Sequence, residues 1–190
     1  LAIMAANFHD HPSRDLTLVG ITGTNGKTST ATLLYRLFRA LGHKCGLIST
    51  VEVRVGNRTI ASTHTTPDAL RLNELLAEMV AEKVTYCFME VSSHSVVQER
   101  ITGLEFDVAV FTNITHDHLD YHGTFAAYIK AKKRFFDDLG EEAVALVNAD
   151  DPNGSVMVQN TKATRRSYAV RNMADLHARI IENQLTGLHL

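Results

Sequence analysis

A glycine-rich turn between an apolar run and a helical pattern is the part of this sequence best suited to bind a ligand. Its glycines stand at positions 20, 23 and 26, and Lys27 and Thr28 follow directly. Such a turn lets backbone N–H groups approach a polyphosphate, and the start of the next helix adds partial positive charge. Lys27 supplies a full charge, and the Thr28 hydroxyl can bind Mg²⁺. The pattern therefore predicts a nucleoside triphosphate site. Its residues are Gly23, Thr24, Asn25, Gly26, Lys27, Thr28 and Ser29.

A second candidate ligand for a cation is Glu90, which ends the apolar run 86–89. A carboxylate at the end of such a run is costly unless it holds a cation or accepts hydrogen bonds. Beside the predicted phosphates the expected cation is Mg²⁺. The alternative is a carboxylate that caps the turn after the strand.

The segment 113–122 holds three histidines and two aspartates. They are His116, Asp117, His118, Asp120 and His122. Taken alone, this segment predicts either a zinc site, since imidazole suits Zn²⁺, or a solvated loop whose histidines bind nothing. The helix pattern after it carries Lys130, Lys132 and Lys133, and a basic helix face is usually solvated.

Alternating strand and helix patterns separate these polar segments. Strands are predicted at 16–21, 45–50, 84–89, 106–112 and 143–148, and helices at 28–41, from 67 onward and at about 124–139. This order predicts an α/β fold with a mostly parallel sheet and helices on both faces, a small β-hairpin at 51–61 and a C-terminal β extension. The glycine loop, Glu90, the segment 113–122 and the turn 148–151 all follow strands. They should therefore meet at the carboxyl edge of the sheet, where such folds bind ligands.

Two of the predicted helices carry apolar faces. The first is expected to bury Leu33, Leu34, Leu37, Phe38 and Leu41. The second is expected to bury Leu72, Leu75, Leu76, Met79 and Val80. Before the second helix, Thr66 can act as the cap, with Pro67 in the first turn and Asp68 favourable to the helix dipole.

Composition excludes several classes of protein. A chain of 190 residues with 45% hydrophobic and 21% charged residues is typical of a globular domain. Its net charge of −2 gives no reason to expect nucleic-acid or membrane binding. Cys45 and Cys87 lie in apolar surroundings, so we expect free thiols in a cytoplasmic protein rather than a disulfide or metal pair. Residues 1–15 are expected to be a linker or short helix from a missing N-terminal domain. Residues 16–190 are expected to form a domain cut short at its C-terminal end.

The glycine spacing departs from the common phosphate-loop pattern, because Ile21 stands where that pattern has glycine. The spacing G-x-x-G-x-x-G-K-T, with Thr24 and Asn25 inside it, instead resembles the ATP site of the Mur ligases, which build the peptidoglycan peptide. The N-x-x-x-D-H-L-D element at 113–120 and the N-A-D-D element at 148–151 also resemble that family. The resemblance runs from about residue 7 to 168 and implies the central ATP-binding domain of such a ligase.

The resemblance also implies roles for individual residues. The expected metal ligands for Mg²⁺ are Thr28, Glu90, His118 and Lys132, the last as a carbamate formed with CO₂. Lys27, Lys132 and His118 are the expected catalytic residues. Substrate contacts are expected from Thr65, Thr66, Ser92, Gln98 and Arg100. His116 and His122 are expected to be structural, and no role is assigned to 148–151.

The set Ser92, Gln98 and Arg100 is similar to that of the Mur ligases that add the third amino acid. This implies a monomeric enzyme that uses ATP and Mg²⁺ to join diaminopimelate or lysine to UDP-N-acetylmuramoyl-L-Ala-D-Glu through an acyl phosphate. Its N-terminal UDP-binding domain and its C-terminal amino-acid-binding domain would lie outside this chain, so the fragment alone should be inactive. Two alternatives stay open: a superfamily relative such as folylpolyglutamate synthase, or a non-catalytic nucleotide-binding module.

Overall fold

The computed structural model describes residues 1–62, 64–180, 182–184 and 187–189. Nine strands form one sheet: β1 (Thr17–Thr22), β2 (Cys45–Ile48), β3 (Glu52–Val55), β4 (Arg58–Ala61), β5 (Tyr86–Glu90), β6 (Val108–Phe111), β7 (Val144–Asn148), β8 (Thr164–Ala169) and β9 (Leu176–His177). A separate antiparallel pair comprises β10 (Glu182–Gln184) and β11 (Gly187–His189). The helices are α1 (Ala2–Phe8), α2 (Lys27–Ala40), α3 (Ala69–Ala81), α4 (Ser93–Val97), α5 (Leu119–His122), α6 (Phe125–Asp137) and α7 (Gly154–Met157), with a 3₁₀ turn at Pro12–Arg14.

The sheet order is β4-β3-β2-β5-β1-β6-β7-β8-β9. In this order, each strand after β2 pairs in parallel with its neighbour. The pairs β2–β3 and β3–β4 are antiparallel. β1 lies at the centre, and two buried clusters cover its two faces, one beneath α2 and the other beneath α3 and α6. Strands buried on both faces explain the nearly continuous apolar runs. The predicted α/β architecture is confirmed.

The predicted hairpin is also confirmed. β3 and β4 pair from Glu52 with Ala61 to Val55 with Arg58, so that only two residues form the turn. The first of them, Gly56, has φ +57°, which a two-residue hairpin turn requires.

The predicted buried face of α2 is wrong. Leu33, Leu37 and Leu41 are 65%, 53% and 65% exposed, whereas Ala31 and Tyr35 are buried. The other two predicted residues of this face are only partly buried. Positions 33, 37 and 41 form one line along the helix, and positions 31 and 35 form another on nearly the opposite side, since residues two apart are rotated by about 200°. Because α2 is apolar on both lines, the pattern could not show which of them faces the sheet.

Helix α3 matches its predicted face, but its cap differs from the prediction. Leu72, Leu75, Leu76 and Met79 are all buried. The cap is Asp68, whose Oδ1 accepts the N–H groups of residues 70 and 71 at 3.0 and 3.1 Å. The proposed capping role of Thr66 is therefore wrong, and its hydroxyl serves another contact described below.

The carboxyl ends of β1, β5, β6 and β7 lie side by side, because these strands are parallel neighbours or near neighbours around β1. The polar segments after them therefore meet at one edge of the sheet. In the described residues no helix combines the length and the hydropathy that a membrane span requires.

Candidate functional site

The phosphate loop, residues 22–26, joins β1 to α2 and requires glycine at two positions. Gly26 precedes α2 with φ +86°, a value that side chains rarely adopt. A Cβ on Gly23 would overlap the Thr112 hydroxyl oxygen. Since a helix offers no internal acceptor to its first N–H groups, those at the start of α2 are available to an anion. They belong to Gly26, Lys27, Thr28 and Ser29.

Asn113, which follows β6, fixes the conformation of this loop. Its backbone oxygen accepts the Thr24 N–H at 2.8 Å, and its Oδ1 accepts the Asn25 N–H at 3.0 Å. Its Nδ2 donates to the Asn25 oxygen at 2.9 Å. The N–H groups of Thr24 and Asn25 thus point to Asn113, and the start of α2 forms the open end of the loop. Sequence reasoning gave Asn113 no role, although it begins the N-x-x-x-D-H-L-D element.

Two lysines converge on the Gly23 carbonyl. Lys27 Nζ donates to the oxygens of Gly23 and Thr24 at 2.8 and 2.9 Å, and Lys132 Nζ donates to the Gly23 oxygen at 2.9 Å. Lys132 is 1% exposed, so it does not lie on the solvated face of α6. Burial, reinforced by the charge of Lys27, lowers the pKa of Lys132 from 10.5 to about 7. Burial also lowers the pKa of Lys27, although Glu90 and Asp117 oppose this effect.

Glu90 is 1% exposed at the end of β5. Its Oε1 accepts the Thr28 hydroxyl at 2.9 Å and the Thr50 N–H at 2.7 Å. Among the described residues, both hydrogen bonds found for this carboxylate are made by Oε1. A hydroxyl and a carboxylate side by side at the start of a helix are hard oxygen ligands of the kind Mg²⁺ prefers, so these residues fit that ion. Thr50 was missed because its contribution is a backbone N–H.

His118 lies at the start of α5 beside the Tyr128 ring, with 6.1 Å between ring centroids. Lys132 Nζ approaches the same Tyr128 ring at 4.8 Å. His118 Nε2 also lies 3.5 Å from an oxygen of Asp117, and both side chains are nearly half exposed. The two expected ligands of a second ion therefore flank one aromatic ring.

The other histidines of this region have protein partners. The His116 ring stacks on the Phe125 ring, with 4.3 Å between their centroids, and His122 Nε2 lies 2.9 Å from the Ser93 hydroxyl oxygen. Burial, with the neighbouring His94 next in effect, lowers the pKa of His122. Within the described ranges, no three His, Cys, Asp or Glu side chains form a group that could hold a metal. The structure therefore gives no support to the zinc-site interpretation of the segment 113–122.

The expected substrate residues form one network next to Glu90. Arg100 donates to the Thr66 oxygen at 2.7 Å through Nη1 and to Gln98 Oε1 at 2.9 Å through Nε. The Thr66 hydroxyl donates to the Glu90 backbone oxygen at 2.8 Å and accepts the Ser92 N–H at 3.2 Å.

Two further contacts extend this network. The Thr65 hydroxyl accepts from the Thr50 hydroxyl at 3.1 Å, and Gln98 Nε2 donates to the Tyr121 hydroxyl at 3.3 Å. The five expected substrate residues are thus brought together between the ends of β2 and β5 and helix α5.

A parallel α/β sheet whose first strand leads through a glycine-rich loop into a helix is the architecture of phosphate-loop nucleotide-binding domains. Within this class, the sequence profile of the Mur ligase middle domain matches residues 21–190. The chain therefore belongs to the Mur ligase middle domain family.

Similar proteins agree with this assignment. A UDP-N-acetylmuramoyl-L-alanyl-D-glutamate–2,6-diaminopimelate ligase of Cytophaga hutchinsonii is 56% identical over 190 residues, which is 100% of this chain and 39% of that protein. A ligase of the same name from Parabacteroides distasonis is 53% identical over 190 residues, again 100% of this chain and 39% of that protein. The chain thus spans about two fifths of these curated relatives.

Solved structures share the fold. A UDP-N-acetylmuramoyl-L-alanyl-D-glutamate–2,6-diaminopimelate ligase superposes with a TM-score of 0.84 at 29% identity, covering 97% of this chain and 39% of that one. A Mycobacterium tuberculosis folylpolyglutamate synthase superposes with a TM-score of 0.66 at 19% identity, covering 90% and 48%. The second likeness concerns the fold alone.

Proposed function

We propose that this chain is the ATP-binding middle domain of a ligase that adds 2,6-diaminopimelate to UDP-N-acetylmuramoyl-L-Ala-D-Glu. The observation that carries nucleotide binding is the pair formed by Thr28 and Glu90 at the open end of the phosphate loop. The choice of substrate and amino acid rests on the names of relatives 53–56% identical. In the proposed reaction, ATP phosphorylates the free D-Glu carboxylate, and the amine of the amino acid displaces phosphate to form the amide.

The first turn of α2 binds the phosphates in this proposal. The N–H groups of residues 26–29 donate to phosphate oxygens, and Lys27 exchanges its two loop carbonyls for the transferring phosphoryl group. Thr28 and Glu90 hold the Mg²⁺, which when bound neutralises charge on the phosphates. The buried network around Glu90 keeps its carboxylate directed at this site, because Thr50 and Thr28 fix Oε1.

Lys132 and His118 are proposed to hold a second Mg²⁺. An amine with a pKa of about 7 is neutral in about half of the molecules at pH 7, and a neutral amine adds CO₂ to give a carbamate with loss of one proton. The side chain of Lys132 would then be an anion instead of a cation, and its carbamate oxygens are ligands that suit a hard metal ion. Tyr128, which contacts both side chains, orients them.

Arg100 is proposed to bind an anionic group of the muramoyl substrate. Its guanidinium contacts one backbone oxygen and one amide oxygen but no carboxylate in the described residues. Its charge is therefore available to a substrate carboxylate or phosphate, which the planar guanidinium can bind through two hydrogen bonds. We also retain the expectations of a monomer and of a cytoplasmic enzyme, the latter supported by two buried free thiols, Cys45 and Cys87.

The test is steady-state kinetics of the full-length enzyme with Arg100→Ala. Loss of a charged hydrogen-bonding partner costs about 1.5–3 kcal/mol, so KM for the muramoyl dipeptide should rise roughly ten- to a hundredfold while KM for ATP stays constant. The matched control is Arg14→Ala. Arg14 precedes β1, is exposed and forms an ion pair with Glu105. An unchanged KM for the muramoyl dipeptide, or a preference for folate substrates, would contradict the proposal.

A further inference from the structure

The segment 112–115, here called the brace, follows β6 and contacts the phosphate loop through three of its four residues. The Thr112 hydroxyl donates to the Asn25 oxygen at 2.8 Å. Asn113 makes the three contacts described above, and the Thr115 N–H donates to the Thr24 hydroxyl at 3.0 Å. The position of the brace therefore decides where the loop backbone lies.

The remaining residue of the brace, Ile114, faces the other way. Its side chain is 4% exposed in the core, and its N–H donates to Asp151 Oδ2 at 2.8 Å. The other oxygen of Asp151 accepts the Asn153 N–H at 2.8 Å. Asp151 thus joins the turn after β7 to the brace. Asn148 adds a second link, because its Nδ2 donates to the Thr112 oxygen at 2.8 Å.

We propose that Asp151 is a positioning residue of the nucleotide site, an inference that rests on the proposed nucleotide binding. A carboxylate that accepts a backbone N–H makes a strong hydrogen bond, and here it holds the brace from the side opposite the phosphate loop. With the brace fixed, Asn113 engages the N–H groups of Thr24 and Asn25. The phosphate loop is then already in the form that leaves residues 26–29 open to phosphate, and no ordering is needed on binding.

The competing explanation is that Asp151 only stabilises its own turn. The neighbouring residue separates the two explanations. Asp150 accepts the N–H groups of residues 170–172 at 2.8–3.2 Å. These contacts join the turn to the segment after β8 and involve no residue of the brace, so Asp150→Ala removes a carboxylate from the same turn and leaves the contact of Ile114 in place.

The first measurement is amide hydrogen exchange, read by NMR in the nucleotide-free chain. In Asp151→Ala the N–H groups of Thr24 and Asn25 should exchange about tenfold faster than in the wild type, since the brace loses the acceptor that holds it at Ile114. In Asp150→Ala the exchange should increase at residues 170–172 and stay constant at Thr24 and Asn25. Unchanged exchange at Thr24 and Asn25 in Asp151→Ala would overturn the inference.

The second measurement is calorimetric binding of AMP-PNP with Mg²⁺. Asp151→Ala should weaken binding about tenfold, and Asp150→Ala should bind as the wild type does. Asp151→Asn keeps one acceptor oxygen, so it serves if the alanine variant does not fold; its affinity should lie between those of wild type and Asp151→Ala. Equal affinity in wild type and both Asp151 variants would refute the positioning role. A wild type that binds no nucleotide would instead overturn the proposed function, and the exchange experiment would still decide whether Asp151 positions the loop.

Discussion

Burial of the Lys132 amine should make the stability of the domain depend on pH in a way that one substitution removes. Lys132 is 1% exposed, and burial lowers its pKa from 10.5 to about 7. Lys132→Met keeps a long flexible side chain but removes the titrating group. It also loses the hydrogen bond to the Gly23 oxygen, which shifts stability by a similar amount at every pH.

The sign follows from proton binding. Below about pH 7 both folded and unfolded chains hold the proton, and the full cost of the buried charge is present. Between about 7 and 10.5 the unfolded chain binds a proton that the folded chain does not, so stability rises with pH. The full difference corresponds to about 5 kcal/mol, and the portion gained from about pH 6 to pH 9 is roughly 2.5 kcal/mol.

The assay is urea unfolding from about pH 6 to pH 9 in decarbonated buffer with a chelator, so that neither carbamate nor metal contributes. The stability difference between wild type and Lys132→Met should increase by about 2–3 kcal/mol across this range. Lys130→Met is the matched control, because it removes an exposed ammonium from the same helix and should follow the wild-type profile. Parallel profiles for wild type and Lys132→Met would refute the reasoning.

Two further substitutions test the local structure. Gly23→Ala should destabilise the domain by at least about 2 kcal/mol and weaken nucleotide binding, since the methyl group meets the Thr112 hydroxyl at a strained backbone position; wild-type stability in urea would contradict this. Asp68→Ala should cost about 1 kcal/mol in the same assay, because α3 loses the acceptor for two N–H groups; a stability change confined to Thr66→Ala would instead restore Thr66 as the cap.

The order of the main strands and helices was predictable because these strands are short, nearly continuous apolar runs and these helices are longer segments with apolar residues at helical spacing. That order alone brings the glycine loop, Glu90 and the segment 113–122 to one edge of the sheet. The buried face of α2 was not predictable, since Leu33 and Leu37 make an exposed line as apolar as the buried one. Amphipathicity identifies a face only when the opposite face is polar.

Contacts between distant segments were also beyond the sequence. Thr50 acts through its backbone N–H, and the side-chain amide of Asn113 binds a backbone N–H of the phosphate loop. The residue types in a sequence do not indicate such contacts. The burial of Lys132 between the exposed Lys130 and the half-buried Lys133 depends on which line of α6 packs behind the phosphate loop. Only the resemblance to a family distinguished these three lysines.

Magnesium-dependent nucleotide binding is the most direct test of the central claim that Thr28 and Glu90 form the metal site of an ATP-binding domain. AMP-PNP is titrated calorimetrically, with and without Mg²⁺, into wild type, Thr28→Val and Thr30→Val. The last variant changes a threonine in the first turns of α2 that does not contact Glu90. Mg²⁺ should tighten binding to wild type and Thr30→Val, and Thr28→Val should lose that gain because the hydroxyl ligand is gone. The account would be contradicted if the wild type bound AMP-PNP with the same affinity with and without Mg²⁺. It would also be contradicted if Mg²⁺ tightened binding to Thr28→Val as much as to the wild type.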